Sequence, residues 1–186
     1  MKRIAALLIT LVIFTGCTGK REELDRAMAL RAELLACESC GFDMDITADY
    51  GDELHEFSMS GEVDNDGGVS FTVSEPESIA GITGTIEAGE GNLTFADTAL
   101  AFPLLADDQV TPVSGPWILM KTLLGGYLTA CVQEEELLHL TIDDSYEEDA
   151  LQMEIWLNEE DRPVAAEVLY GGRRILTMDV ENFQIR

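Results

Sequence analysis

Phe42-Asp43-Met44-Asp45-Ile46-Thr47-Ala48-Asp49-Tyr50 alternates apolar and polar side chains without a break. A period of two sends one set to each face of a β-strand. Past the turn residues Gly51-Asp52, Phe57, Met59, Gly61 and Val63 alternate with Ser58, Ser60 and Glu62. Asp64-Asn65-Asp66-Gly67-Gly68 reads as a hairpin turn, since Asn and Gly tolerate positive φ, and Val69, Phe71 and Val73 then resume the pattern up to Pro76. These strands carry an apolar face and an acidic face. Such a sheet is antiparallel and wet on one side.

The same reading extends outward. Short strands are predicted around 79–87, 92–95 and 99–102, with Gly89-Glu90-Gly91 as a turn between two of them. Ser114 can cap a helix over 117–124 that holds Pro116 in its first turn and ends at Gly125-Gly126. That helix is apolar nearly all round, which predicts burial against the sheet. Strands resume at 138–142, 151–157, 164–170 and 175–180, and Phe183 and Ile185 finish the chain. Ahead of the strands, 22–36 reads as a helix. Leu24, Met28 and Leu35, with Ala27 and Leu34 beside them, form an apolar stripe expected to face the core, and Glu22 with Arg26 makes an i,i+4 ion pair. The expected class is mainly β with two or three helices (α+β), an antiparallel meander around an inserted apolar helix.

The 186 residues carry 11 Lys and Arg against 36 Asp and Glu, a net charge of −25, with 46% hydrophobic residues. The length suits one domain with a real core, and the apolar content argues against disorder. Binding to nucleic acid is excluded as an expectation, because phosphate contacts need clustered Lys and Arg. The charge is unevenly spread. Lys20, Arg21, Arg26 and Arg31 lie near the start, Arg162, Arg173, Arg174 and Arg186 near the end, and between Ala32 and Asp161 Lys121 is the only basic residue.

Lys2 and Arg3 precede an apolar run over 4–14 interrupted only by Thr10. As a helix this run would reach about 16 Å, short of a ~30 Å hydrocarbon core, so it reads as a signal-peptide core over residues 1–16. Phe14-Thr15-Gly16-Cys17 resembles the lipobox of bacterial lipoproteins. The resemblance implies acylation of Cys17, a short tether over 17–21, a single domain over 22–186, and a place on the extracytoplasmic face of the cell membrane.

Two further stretches carry a wider resemblance. Leu157-Asn158-Glu159-Glu160-Asp161-Arg162-Pro163-Val164, followed by Tyr170-Gly171-Gly172-Arg173-Arg174, gives a strand, an acidic turn, Pro-Val and a glycine turn into the last strands. Phe71-Thr72-Val73 running to Pro76, then Gly81-Ile82-Thr83-Gly84, is similar to small lipoproteins of Gram-positive bacteria. Together with the lipobox, the first helix and the inserted helix, the pattern resembles the Lol-type (LolA/LolB-like) lipoprotein-carrier superfamily. That resemblance implies a curved half-barrel wrapped around a helix-plugged apolar cavity. Its soluble carriers place arginines inside the cavity, and this chain has no matching cluster.

No catalytic or metal motif is expected. His55 and His139 sit in strands without metal-ligand spacing, and Met59-Ser60-Gly61 is not a nucleophile elbow. Asp64-Asn65-Asp66-Gly67 lacks the glycine a calcium loop needs at its sixth position, where Val69 stands. The run Asp143-Asp144-Ser145-Tyr146-Glu147-Glu148-Asp149 reads as a solvated acidic loop. Cys37-Glu38-Ser39-Cys40 follows a helix instead of opening one, the wrong electrostatic end for a redox motif. Pairing of Cys131 with Cys37 or Cys40 would close a long loop worth about 4 kcal/mol and is the favoured disulfide.

The functional expectation is a membrane-anchored, non-enzymatic lipoprotein without cofactor that binds a hydrophobic ligand between sheet and inserted helix. Phe57, Met59, Phe71, Trp117, Met120 and Met153 are its expected lining. The alternative is a scaffold or regulatory lipoprotein that holds a cationic envelope protein on its acidic face.

Overall fold

The computed structural model describes residues 19–87, 90–95, 98–103, 105–106, 109–147 and 150–186. The expected signal peptide and Cys17 lie outside the described residues, as do Glu148 and Asp149 of the acidic run. Helix α1 (Gly19–Ala36) leads into β1 (Ser39–Asp49), β2 (Leu54–Asp64), β3 (Val69–Glu75), β4 (Thr83–Glu87), β5 (Glu90–Phe95) and β6 (Thr98–Pro103). A two-residue pair, β7 (Leu105–Ala106) and β8 (Gln109–Val110), precedes helix α2 (Gly115–Gly125). The chain closes with β9 (Tyr127–Glu134), β10 (Leu137–Asp143), β11 (Gln152–Leu157), β12 (Pro163–Tyr170) and β13 (Arg173–Ile185).

The main sheet is open, antiparallel and eleven-stranded in the order β6-β5-β4-β3-β2-β1-β13-β12-β11-β10-β9. The last strand joins the two halves: β13 sets Met178 opposite Ile46 of β1 and opposite Ala166 of β12. This is the expected meander of α+β class. Its alternation holds residue by residue. Phe42, Met44, Ile46 and Ala48 are buried, as are Leu138, Leu140 and Ile142 of β10 and Met153, Ile155 and Leu157 of β11. Across β1 to β4 the inner face alternates large and absent side chains, with Phe42 opposite Gly61, Gly61 opposite Phe71, and Phe71 opposite Gly84. A Cβ on Gly61 would stand 2.6 Å from the Phe42 ring, and one on Gly84 would enter the Phe71 ring. The rings lie over the bare backbone and fill what the glycines leave.

Helix α2 plugs the inner face, with Ile118, Leu119, Met120 and Leu123 all buried. Its entry differs from the sequence expectation. A 3-10 turn over Pro112–Ser114 precedes it, and Ser114 makes no side-chain cap. The buried Ser114 hydroxyl instead donates to the Thr111 carbonyl at 2.5 Å. Proline in the first turn makes the missing cap less costly, since one orphan N–H is absent anyway.

Helix α1 starts at Gly19 and faces otherwise than its stripe suggested. Ala27, Leu30 and Leu34 are buried, whereas Leu24, Met28 and Leu35 are 43%, 47% and 67% exposed. At about 100° per residue the two sets lie roughly a quarter turn apart. Ion pairs to the loop after β11 fix this rotation. Arg26 leaves Glu22 and pairs with Asp161 at 2.7 Å, also donating to Gln133 at 2.9 Å. Glu33 receives both terminal nitrogens of Arg162, at 2.8 and 2.7 Å. Arg31 reaches α2, where Nε donates to the Leu123 carbonyl at 2.6 Å and Nη2 to the Gly126 carbonyl at 3.0 Å.

Candidate functional site

The six residues expected to line a ligand cavity are brought together by the fold, inside its core. Phe57, Met59, Phe71, Met120 and Met153 are at most 8% exposed and belong to one contiguous cluster, with Trp117 packed against its edge. Lys121 holds its ammonium 5.1 Å above the Trp117 ring, at the rim of α2. The large groove lies on the other side of the sheet. It encloses about 720 Å³ and is lined by outward residues of β1 to β5 and β13, among them Asp43, Ser60, Thr72, Thr85, Asn182 and Arg186. Alternation with the apolar set places these side chains on the acidic face that the sequence reading offered, as its alternative, to a cationic partner, though it named none of them as site residues.

Carboxylates crowd the strands that bound this groove. Register puts Asp43 opposite Glu181 and Asp45 opposite Asp179, two rungs of like charge on the β1–β13 pair. Neutral donors answer part of that charge: Ser58 donates to Asp45 at 2.5 Å and Asn182 to Asp43 at 2.7 Å. The late arginines do not reach these rungs, because each is paired elsewhere. Arg173 meets Asp49 at 3.2 Å, Arg174 meets Glu167 at 2.6 Å, and Arg186 meets Glu62 at 3.3 Å.

A second polar cluster sits at the far end of the outer face. His139 stacks on Trp156 with ring centroids 4.6 Å apart, and its two ring nitrogens meet Glu134 at 2.9 Å and Glu154 at 2.6 Å. Thr141 donates to Glu154 at 2.8 Å and the Trp156 indole to Glu134 at 3.3 Å. The bonds from His139 and Trp156 hold the Glu134 carboxyl below its ordinary value of 4.5. A carboxyl depressed in the folded state stabilises the fold above its unfolded pKa, and that contribution is lost as pH falls through the folded value. Denaturation of wild type and Glu134→Gln at several pH values should therefore show a wild-type advantage at neutral pH that shrinks below about pH 4.5. An advantage independent of pH would show that the contacts act without the charge.

The cysteines do not follow the favoured disulfide. Cys37 and Cys40 lie side by side with sulfurs 3.4 Å apart, and Cys131 stands free on β9. Cys131 is influenced by Glu23 and Arg26, more than two turns of α1 before Cys37. Burial pushes the Cys131 thiol up to about 11, and burial with the neighbouring Cys37 pushes Cys40 to about 12. Thiolate chemistry at neutral pH is suppressed at both. Among the described residues, no group of three or more His, Cys, Asp or Glu is placed to hold a metal ion, and no helix is long and apolar enough to cross a membrane.

Neither a protein-family model nor a curated protein matches the sequence. Solved structures align with most of the chain at low identity. An uncharacterised conserved protein of Thermus thermophilus is 15% identical, with a TM-score of 0.48 over 89% of this chain and 86% of that one. A LolA superfamily protein of Nitrosomonas europaea is 10% identical, with a TM-score of 0.45 over 86% and 93%. The lipoprotein LppX of Mycobacterium tuberculosis is 11% identical, with a TM-score of 0.43 over 87% and 93%. What the chain does is read from its own residues.

Proposed function

We propose that this chain is a lipid-anchored, extracytoplasmic, non-catalytic lipoprotein whose acidic outer sheet face holds a cationic segment of an envelope protein. The observation that carries the reading is the pair of like-charge rungs, Asp43–Glu181 and Asp45–Asp179, beside an open polar groove. Like charges directly opposite on an antiparallel pair destabilise it, and a cationic partner converts that cost into binding. Anchoring rests on the apolar run over 4–14 followed by Thr15-Gly16-Cys17. Intact-mass measurement should find an acylated Cys17, and Cys17→Ala should leave the membrane fraction; an unmodified soluble protein from native cells would contradict it.

The rungs make a prediction for the isolated protein. Asp179→Asn removes one repulsion and no ion pair, so it should raise stability by up to about 1 kcal/mol at low salt. The gain should fade in 1 M salt, where the Debye length is about 3 Å. Denaturant titrations at two salt concentrations measure this. A loss of stability at low salt would mean that Asp179 has a favourable role.

A second reading has its own observation. Met44, Met59, Met120, Met153 and Met178 are all buried in one core cluster that α2 and the inner sheet face share. Methionine is flexible and repacks readily, so this interface is suited to part around an acyl chain bounded by Phe57, Phe71 and Trp117. A co-purifying lipid in native mass spectrometry would favour this reading over the first.

A further inference from the structure

Helix α1 presents to solvent a face that the fold leaves uncovered. Leu24, Met28 and Leu35 are 43%, 47% and 67% exposed. They fall within about 40° of one another around the helix, with Arg21 at one border. The helix's carboxylates Glu22, Glu23, Asp25 and Glu33 lie outside this sector. In a chain of net charge −25, an exposed stripe with no acidic residue in it is a local reversal. Arg21 reinforces the point: among the described side chains it is the one basic group with neither an ion pair nor a hydrogen bond. Arg31, on the other border, gives its guanidinium to two carbonyls of α2 and meets no carboxylate there.

We infer that this face of α1 lies on the surface of an anionic lipid bilayer, with Leu24, Met28 and Leu35 in the headgroup region and Arg21 against lipid phosphates. The inference rests on the anchoring reading and adds an orientation to it. Two observations select a bilayer as occupant. Cys17, the expected acylation point, stands two residues before the helix begins, so the first turns of α1 cannot stray far from the lipid. The stripe also joins apolar side chains to unneutralised positive charge, the combination that seats a helix in an interface and strengthens one acyl anchor into a stable attachment. A quarter turn away, Ala27, Leu30 and Leu34 seat α1 in the core, on the inner side of the sheet. Docking therefore sets the membrane beside the contact of α1 with the core, about a quarter turn from the direction in which the helix packs, and leaves the acidic outer face open to solvent. An anionic surface would repel that outer face, and this orientation does not press it against lipid.

Methionine methyl signals test this in the full lipid-anchored protein. The protein would be labelled at methionine methyls and held on nanodiscs of equal phosphatidylglycerol and phosphatidylcholine. Met28 is exposed, whereas Met44, Met59, Met120, Met153 and Met178 are buried. Nitroxide-labelled lipid should attenuate the Met28 signal about tenfold more than those of Met44 and Met153, as a seat about 5–10 Å into the headgroup boundary requires. A water-soluble gadolinium chelate should leave Met28 protected. Protein on the discs whose Met28 is attenuated by gadolinium and spared by nitroxide lipid overturns the inference alone. A Met28 spared by both agents means that another protein surface covers the stripe, and overturns it equally. Protein that never joins the discs overturns the anchoring reading, and the inference with it.

Discussion

Leu30→Ala should destabilise the protein by about 3–4 kcal/mol, whereas Met28→Ala, two residues away, should change stability by no more than about 0.5 kcal/mol. Leu30 is 2% exposed inside the cluster that joins α1 to the sheet, and its truncation leaves a cavity there. Met28 is 47% exposed and supports nothing. Both residues favour helices similarly, so the contrast isolates rotation of α1 from its propensity. Urea titration with unchanged slope measures the difference, and for a chain of this size about 3 kcal/mol corresponds to roughly 6–12 °C in melting temperature. The reverse order of effects would mean that the helix turns its Leu24–Met28–Leu35 stripe inward.

Arg31→Met should cost about 2–3 kcal/mol. The guanidinium satisfies the Leu123 and Gly126 carbonyls where α2 ends, at 2.6 and 3.0 Å. The last carbonyls of a helix have no partner of their own, and a positive group there also meets the negative end of the helix dipole. Methionine keeps the aliphatic stem and removes both donors, leaving half-buried carbonyls unpaired. Burial holds the Arg31 pKa down from its ordinary value. The effect should be nearly independent of salt, unlike that of Asp179→Asn, because short hydrogen bonds and not long-range attraction carry it. A stability change under about 0.5 kcal/mol would mean that water replaces Arg31 at no cost.

The sheet was legible because burial on one face forces a period of two, and the run from Phe42 to Val73 keeps it with one interruption at each turn. Helix α2 was legible for the opposite reason, since a helix apolar all round has to be buried. Strand β9 was missed. Its residues Tyr127, Val132 and Glu134 are all exposed at the sheet's edge, and a register shift between Thr141 and Ile142 breaks the pairing that would impose alternation. The stripe on α1 was legible as a stripe but not in its direction. Leu30 escaped notice, and Arg26 and Glu33 are steered by Asp161 and Arg162, more than a hundred residues on. The like-charge rungs depend on register between β1 and β13, strands distant in sequence, and the His139 cluster on the register of β10 with both its neighbours; a period of two along one strand reveals neither. Cys40 pairs in space with its near neighbour Cys37 because α1 spans the distance that separates Cys131 from both.

The orientation and the partner-binding face form one account: the α1 stripe on lipid, the inner core filled, and the acidic outer sheet face open to solvent. Site-specific photo-crosslinking in intact cells tests its central claim most directly, with the reactive residue placed at Thr72 in the outer groove or at Glu159 in the exposed turn after β11. The account predicts a discrete protein adduct from Thr72, absent from Glu159, that is lost in high salt and in the Asp45→Lys, Asp179→Lys double variant. Equal labelling from both positions, or an adduct from Thr72 that survives salt and charge reversal, would contradict it.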